Sequence, residues 1–567
     1  MYCIKINGEY SSDYTIIINP EANEDGTYNV SICTLDEDIK PSKAIFRNRP
    51  AITSIEYFDT SEITDMGYQF YSCSNLETVN AVGWKLKGVV SYFFSSCKKL
   101  SSIIGIDSWD TTEATTFAYF FDGCKLLTDD AINGIKNWRF PLNVSLRRFF
   151  YNCSTLTKVD LTGWVTPNVN MMDSVFHGCS KLTEIKGIGT WGTNKNTDTS
   201  YMFYGCTALK LIEGIENFYV DKLKKMDLMF YNCNALETID FSNWNYPSIS
   251  NISALFSYCY KLKNIIGIDR LNMSNVKDIS EIFLDCKSLE TIDISSWNFS
   301  LVDSVTNLFS GCLKLSNINM GDLFTRENCK IKDLTGMFKN CASLTSIPGI
   351  ENWNTSSFEK LYEMFKGCTA LTSLEGFENL VTENVINISC IFEGCSNITS
   401  LEPLANWDTS NVENMNYSFH KCSNITSLEP LAKWVTSNVK AMSYSFYECS
   451  SLTSLNGLQN WDTSKVEYMT YSFYGCYSLT SVTAMKNWKL PTSLFNISYL
   501  FAGCINLELI DLRAFKTEGL RYYENALSQV PTTCTVVIDR NNFTLVPSQV
   551  SWKGTFTDVT EYVEAGA

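Results

Sequence analysis

Histidine is nearly missing from this chain: His177 and His420 are the only two in 567 residues. Imidazole-based catalysis or a histidine metal cluster therefore has little to draw on. Positive charge is also short, with 45 lysines and arginines against 61 aspartates and glutamates, a net charge of −16. Nucleic acid and anionic lipid both need a basic face, so neither is expected as a partner. No apolar run reaches the roughly 18–20 residues that cross a bilayer, and membrane insertion is not expected. The opening MYCIKINGEYSSDYTIIINPEANEDG lacks a basic segment followed by an apolar one, so it does not read as a signal peptide. TFTDVTEYVEAGA at the other end carries no lipid-anchor motif. The sequence reads as soluble, with any export following a route its N-terminus does not advertise.

Cysteine is abundant, and its placement explains its number. Seventeen of the 22 stand at 73, 97, 124, 153, 179, 206, 233, 259, 286, 312, 341, 368, 395, 422, 449, 476 and 504. Phe precedes each by three residues, and Leu or Ile follows each by three. MGYQFYSCSNLETV, MDLMFYNCNALETI and MTYSFYGCYSLTSV show the shared Phe-x-x-Cys-x-x-Leu-x-x-Ile core. About twelve residues past most cysteines comes Trp, as at Trp109, Trp407, Trp434 and Trp461. A chain this long exceeds one ordinary core, and fixed-offset repetition points to stacked units that bury a continuous core together.

Within a unit, Val412, Met415, Phe419 and Cys422 are spaced 3, 4 and 3, the stripe of a short helix. Ser410 with Glu413, and Ser464 with Glu467, fit a capping box at its start. Gly, Asn or Asp often stands just before the cysteine, suiting a left-handed residue that ends a helix. LTSLE (371–375) then reads as a short strand. The expected fold is an α/β repeat solenoid with about 17 repeats of mostly 26–27 residues. Each repeat supplies a helix, a turn, a strand and a Trp-anchored return, giving one long parallel sheet of about 75–80 Å. Residues 1–48 and 517–567 fall outside the pattern and read as β-rich caps, needed because open sheet edges invite association. YTIIINP, YNVSICTL, CTVVIDRNNFTLV and VSWKGTFTDVTEYV are their β segments, and no linker separates them from residues 49–516.

The core motif, and the longer unit NWDTSNVENMNYSFHKCSNITSLEPL (406–431), resemble the BspA-like branch of leucine-rich repeats, the Trp-Asp-Thr-Ser…Phe-x-x-Cys-x-x-Leu variant of bacterial and mycoplasmal surface proteins. The resemblance covers roughly residues 50–515. It implies a leucine-rich-repeat solenoid, adhesion or recognition, and a place at the cell surface. The missing export signal and anchor depart from that pattern.

Sequence alone singles out few chemical groups. His420 with Cys422, and His177 with Cys179, share a slot that elsewhere holds Tyr204, Tyr231, Tyr447 or Tyr474, so they read as repeat positions and not as ligands. GIGTWG (187–192) fits a dinucleotide fingerprint, yet Gly187 occupies a repeat turn also held by Gly105, Gly214 and Gly349. Phe419, Cys422, Phe446, Cys449, Phe473 and Cys476 read as rungs of a buried structural ladder with reduced thiols. No catalytic constellation, cofactor site or metal site emerges. Two partner-binding candidates remain. Seven residues past the cysteine stands an acidic row, including Asp240, Asp293, Glu375, Glu402 and Glu429. It is either a solvated sheet face or a binding face. The tyrosines Tyr204, Tyr231, Tyr447 and Tyr474 suit protein or glycan contact. The reading is a non-enzymatic recognition or adhesion protein with a protein or glycan ligand. The alternative is a structural component of an assembly such as a phage virion or tail. Self-association through the caps stays open.

Overall fold

The computed structural model describes the backbone of three N-terminal strands and, apart from short stretches such as 56–57, 61–62, 141–143, 165–168 and 192–196, residues 44–562. Two compact units result, Met1–Lys277 with eight of the repeated cysteines and Asp278–Ala567 with nine. Each is a parallel β-solenoid whose turns stack in register, as the repeat requires.

The segment before the cysteine is not a helix. From Met415 to Cys422 the chain makes consecutive reverse turns, with Tyr417 at φ 59° and Lys421 at φ 59°. Alternate amides do two jobs. Ser418, His420 and Cys422 N–H close turns onto Met415, Tyr417 and Phe419 carbonyls at 3.1–3.2 Å. Met415, Tyr417, Phe419 and Lys421 N–H instead donate to Ala441, Ser443, Ser445 and Tyr447 carbonyls of the next turn, at 2.7–3.0 Å. A helix would spend these amides internally and leave none to hold neighbouring turns. The inward residues Val412, Met415, Phe419 and Cys422 are buried all the same, because a turn that closes every four residues mimics the helical stripe. Likewise Ser410 and Ser464 do not cap helices; their amides are held by Asp408 (2.9 Å) and Asp462 (3.0 Å) carboxylates two residues earlier.

Positive φ recurs five residues before the cysteine in copy after copy, mostly at residues other than glycine: Tyr68, Ser174, Leu228, Ala254, Asn307 and Tyr444 among them. Each such residue costs about 1–2 kcal/mol, tolerated because stacking over-determines the backbone. The residue just before the cysteine is left-handed too, as its Gly and Asn content suggests.

Parallel ladders tie the turns on both sides of this stack. One is a series of single bridges eight residues before the cysteine, such as Asn387↔Asn414 and Asn414↔Ala441. The other is the strand past the cysteine, as in Lys158–Asp160 beside Glu184–Lys186. The second ladder is not one long sheet. No strand forms in the copies from Cys341 to Cys449. In several strand-bearing copies the amide eight residues past the cysteine donates to the next turn, as Phe241 does to Ile266 (2.8 Å) and Ile294 to Asn319 (2.9 Å). Pro403 and Pro430 occupy that position and have no amide to give; they begin 3-10 turns at Glu402–Leu404 and Glu429–Lys433 instead.

Aromatic stacks fill the interior. Phe419, Phe446 and Phe473 lie 5.5 Å apart in succession, nearly parallel. Trp407, Trp434 and Trp461 repeat at 6.3 Å. Each indole N–H donates one turn back, Trp434 to Leu404 at 2.9 Å and Trp461 to Leu431 at 3.1 Å, satisfying a buried donor. At the N-terminus Tyr2–Ile6 pairs antiparallel with both Tyr28–Ile32 and Ile52–Ile55, and Ile16–Ala22 continues that sheet. That is one strand more than expected there. Near the C-terminus, Leu509–Asp511, Thr535–Ile538 and Phe556–Asp558 run parallel, extending the stack. Cys33 and the side chain of Cys3 lie outside the described residues.

Ser174, at φ 60° five residues before Cys179, separates the turn from the helix. Ser174→Gly is expected to raise unfolding stability by about 1 kcal/mol, because glycine adopts this backbone freely. In a helix the same change would lower it by about 0.5 kcal/mol. Urea denaturation monitored by tryptophan fluorescence reads the sign.

Candidate functional site

The cysteine ladder is a hydrogen-bonding element of the core. Cys422 Sγ–H donates to the Phe392 carbonyl at 3.1 Å, Cys449 to Phe419 at 3.2 Å and Cys476 to Phe446 at 3.3 Å. The Phe419 carbonyl also accepts the Cys422 amide at 3.1 Å, so one oxygen closes its own turn and pins the next. A valine would fill the space but lack the donor, which accounts for cysteine at this position. Burial pushes the Cys179, Cys449 and Cys504 thiols up to about 12. These sulfurs are protonated and free, the opposite of a nucleophile. Gly187, the glycine of the dinucleotide-like stretch, sits at φ 83° where an added Cβ would strike the Thr162 backbone. It is a repeat turn.

The acidic row divides into two kinds. Asp240 and Asp293 serve their own turns: Asp240 accepts from the Ser242 amide (2.8 Å), and Asp293 from the Ser295 amide (2.9 Å) and hydroxyl (2.6 Å). The Ser295 bonds hold the Asp293 carboxyl below the usual carboxylate range. Glu375, Glu402 and Glu429 are exposed, and among the described residues no lysine or arginine pairs with them. Glu375 and Glu402 share a shallow depression with Thr372, Ser373 and Ser400.

Tyrosine forms two rows where the sequence suggested one. Two residues before the cysteine, His420, Tyr447 and Tyr474 stack at 4.7 Å intervals. Five residues before it, on the left-handed position, Tyr417, Tyr444, Tyr471 and Tyr499 stack at 4.4–4.7 Å. The rows touch: Tyr444 lies 5.6 Å from Tyr447 and Tyr471 5.5 Å from Tyr474. All seven rings are half-buried. Each ring covers its neighbour's face, so edges and hydroxyls meet solvent. Burial pushes Tyr471 up to about 12 and raises Tyr417, Tyr444 and Tyr447 as well; these hydroxyls keep their protons. The second row was legible at a constant offset in the sequence, at Tyr68, Tyr92 and Tyr119 as well as Tyr417 to Tyr499.

A charge network adjoins this track on the same two positions. Lys339 and Lys366 reach Glu363 at 2.6 and 3.1 Å, and Lys366 reaches Glu393 at 3.0 Å. Burial opposes the Glu363 charge, but the two lysines hold its carboxyl below the usual range. His420 Nδ1 lies 3.8 Å from Glu393, and burial lowers its imidazole all the same.

In the other unit, Tyr151, His177, Tyr204 and Tyr231 form the equivalent stack at 4.4–4.6 Å. Arg148 lies 3.6 Å over Tyr151 and 5.0 Å from Tyr119, the end ring of a stack with Tyr92 and Tyr68. Arg148 also pairs with Asp122 at 3.6 Å.

Burial, aided by the Arg148 charge, depresses His177 from 6.5 to about 4. The unfolded chain therefore takes up a proton near 6.5 that the folded chain refuses until about 4. His177 makes the fold less stable as pH drops through that window. With two histidines in the chain, proton NMR of the imidazole C–H signals resolves each, and His177 is expected to titrate near 4; a midpoint at the ordinary value would contradict the stacked, buried ring. Alkylation mapped by mass spectrometry should leave the ladder thiols unmodified in the folded protein and modify them all in denaturant; rapid labelling of Cys422 or Cys449 when folded would contradict the bonded thiol.

No helix among the described residues is long and apolar enough to cross a membrane, and no cluster of three or more metal-binding side chains forms among them. Among solved structures, a leucine-rich repeat protein from Eubacterium ventriosum is 17% identical, with 65% of this chain and 96% of that one covered and a TM-score of 0.36. A leucine-rich cell surface protein from Faecalibacterium prausnitzii is 16% identical over 66% and 97% of the two chains, with a TM-score of 0.27. The pneumococcal vaccine antigen PcpA is 13% identical over 85% and 92%, with a TM-score of 0.30. No curated protein matches the chain. Six overlapping stretches that together span residues 40–531 match the family described as "Mycoplasma protein of unknown function, DUF285". The repeat that builds both units is the repeat of that family, and the chain belongs to it.

Proposed function

We propose that the chain is a non-enzymatic recognition protein that binds a protein partner along its paired tyrosine rows. The observation that carries this reading is the track of Tyr417, Tyr444, Tyr447, Tyr471, Tyr474 and Tyr499 with His420. Its rings are held by stacking before any partner arrives, so little side-chain entropy remains to be lost on binding. Tyrosine supplies both apolar area and a hydroxyl, the combination enriched at interface centres. Ring faces are turned toward one another, which favours the mixed polar surface of a protein over a sugar ring seeking an open aromatic face. Tyr204 and Tyr231 extend the same chemistry to the other unit, and exposed Glu375, Glu402 and Glu429 serve as a secondary acidic contact. Protonated thiols and the depressed imidazoles speak against nucleophilic and general-base roles. Residues 1–48 and 517–567 act as caps in this reading, and the protein works at a cell surface or outside the cell.

One observation favours a second reading, assembly into a larger structure. Tyr468 and Tyr522 are exposed, and Phe495 lies 6.0 and 5.2 Å from them, with Arg521 over its ring at 5.4 Å. An aromatic patch of this kind beside the C-terminal strands suits a fixed contact with another copy or a scaffold.

Binding of the labelled chain to an array of extracellular and cell-surface proteins tests the first reading. Tyr444→Ser with Tyr471→Ser is expected to weaken a confirmed binder by about tenfold or more, or about 1.4 kcal/mol, while Glu402→Gln with Glu429→Gln weakens it less. An unchanged affinity in the tyrosine variant, or an array without a binder, contradicts it. Self-association lost on Tyr468→Ser, measured by analytical ultracentrifugation, would favour assembly instead.

A further inference from the structure

One joint between turns stands open. In five copies the residue eight past the cysteine donates its amide to the next turn, as Ala81 does to Ile104, Leu161 to Lys186, Phe241 to Ile266 and Ile294 to Asn319, at 2.8–2.9 Å; where glycine holds the position, as at Gly105, Gly187 and Gly267, no such bond forms. Met320 holds that position after Cys312, and its amide has no backbone partner among the described residues. The strand Asn317–Asn319 pairs only with Thr291–Asp293, as Leu211–Ile212 pairs only with Glu184–Lys186. Its missing neighbour would be the chain at Ile347 and Pro348, which forms no strand.

The tryptophan bond is missing at the same joint, as it is at Trp191. Eight indole N–H groups, from Trp109 to Trp488, donate to a carbonyl one turn back at 2.7–3.1 Å. Trp353 makes no such bond, although only 7% of the residue is exposed. Its ring lies 4.1 Å from Phe324, and the Asn354 amide donates to the Phe324 carbonyl at 2.7 Å. The two turns are thus pinned on the aromatic side and parted on the strand side.

The glycine at this joint reports the same opening. An added Cβ at Gly105, Gly187, Gly214, Gly267, Gly376 or Gly457 would meet the preceding turn no farther than 2.9 Å away; at Gly349, in the same register, nothing lies within 4 Å. The space is a cleft of about 290 Å³, lined by Asn319, Met320, Phe324, Pro348, Gly349 and Trp353 among others.

We propose that this cleft binds a single pyranose ring, as a free sugar or the end of a glycan. The described side chains lining it are uncharged, which suits a neutral ligand. A purely apolar ligand filling the cleft would shut water away from the Met320 amide and the Trp353 indole N–H and leave both unpaired, at about 1–3 kcal/mol each. The ligand therefore carries several acceptor oxygens. The Phe324, Met320 and Ile318 side chains meet an apolar flank, and Asn319 and Asn352 also line the cleft, their amides donating to Asp293 and Glu351. A hydroxylated ring with one C–H face joins these properties at the right size, near the lower bound of small-molecule sites. An extended peptide does not fit, because the Phe324–Trp353 contact closes the gap that an inserted strand would need to run through. The cleft is separate from the tyrosine track, and neither proposal depends on the other.

Saturation-transfer NMR and titration of the full chain with methyl glycosides of glucose, galactose, mannose and N-acetylglucosamine test the assignment, with N-acetylglycine N-methylamide as the peptide-like comparison. At least one glycoside is expected to bind through its ring C–H protons. Trp353→Phe, which keeps the ring and removes the N–H, should weaken it about tenfold or more, and Thr325→Trp at the exposed mouth should abolish it. Thr325→Trp leaves the core untouched, so it decides the matter if Trp353→Phe does not fold. Absence of binding by every glycoside, binding unchanged by Thr325→Trp, or binding of the amide in place of the sugars overturns the proposal.

Discussion

The structure depends on amides that point along the stack. In most copies the odd positions before the cysteine give their N–H to the next turn, while the even positions close the turn they belong to. A left-handed residue every fourth position keeps the two sets apart, and that is why Tyr417 and Lys421 carry positive φ. The strain at these residues is repaid by inter-turn bonds and by the aromatic stacks those bonds bring into register. The thiol ladder belongs to the same arrangement, since each Phe carbonyl holds its own turn and the cysteine of the next.

Surface chemistry follows from that backbone. Stacking at the turn spacing places side chains of one register directly over each other, so any residue type repeated in sequence becomes a row in space. Tyrosines on two registers become a track of seven rings including His420, and lysines and glutamates on the same registers become the network of Lys339, Glu363, Lys366 and Glu393. Surface chemistry is therefore composed by substituting residues copy by copy, without altering the core. Stacking is also incomplete in places, as beside Gly349, where the turn leaves a cleft against its neighbour.

Much of this was legible in the sequence. Phe419, Cys422 and Ile425 announced the register and the buried interior, and the family assignment agrees with the leucine-rich-repeat resemblance. The local conformation was not legible: Val412, Met415, Phe419 and Cys422 have helical spacing, and burial periodicity does not distinguish a helix from turns closing every four residues. The division of the strand ladder was written at Pro403 and Pro430, but it becomes readable only once the donating position is known. Asp240 and Asp293 looked equivalent to Glu375 and Glu402 because they share an offset; one methylene fewer lets the aspartates fold back onto their own turns. The cleft had no sequence signal, since it opens beside Gly349, and glycine also holds that position in joints that stay closed.

The account stands on turns in place of helices in all seventeen copies. Far-UV circular dichroism of the purified chain reads this most directly. A spectrum of β and turn character without the helical double minimum is the expected result. A helical component of the size that one short helix per copy would contribute would contradict the alternating-amide stack, and with it the explanation of both the cysteine ladder and the tyrosine rows.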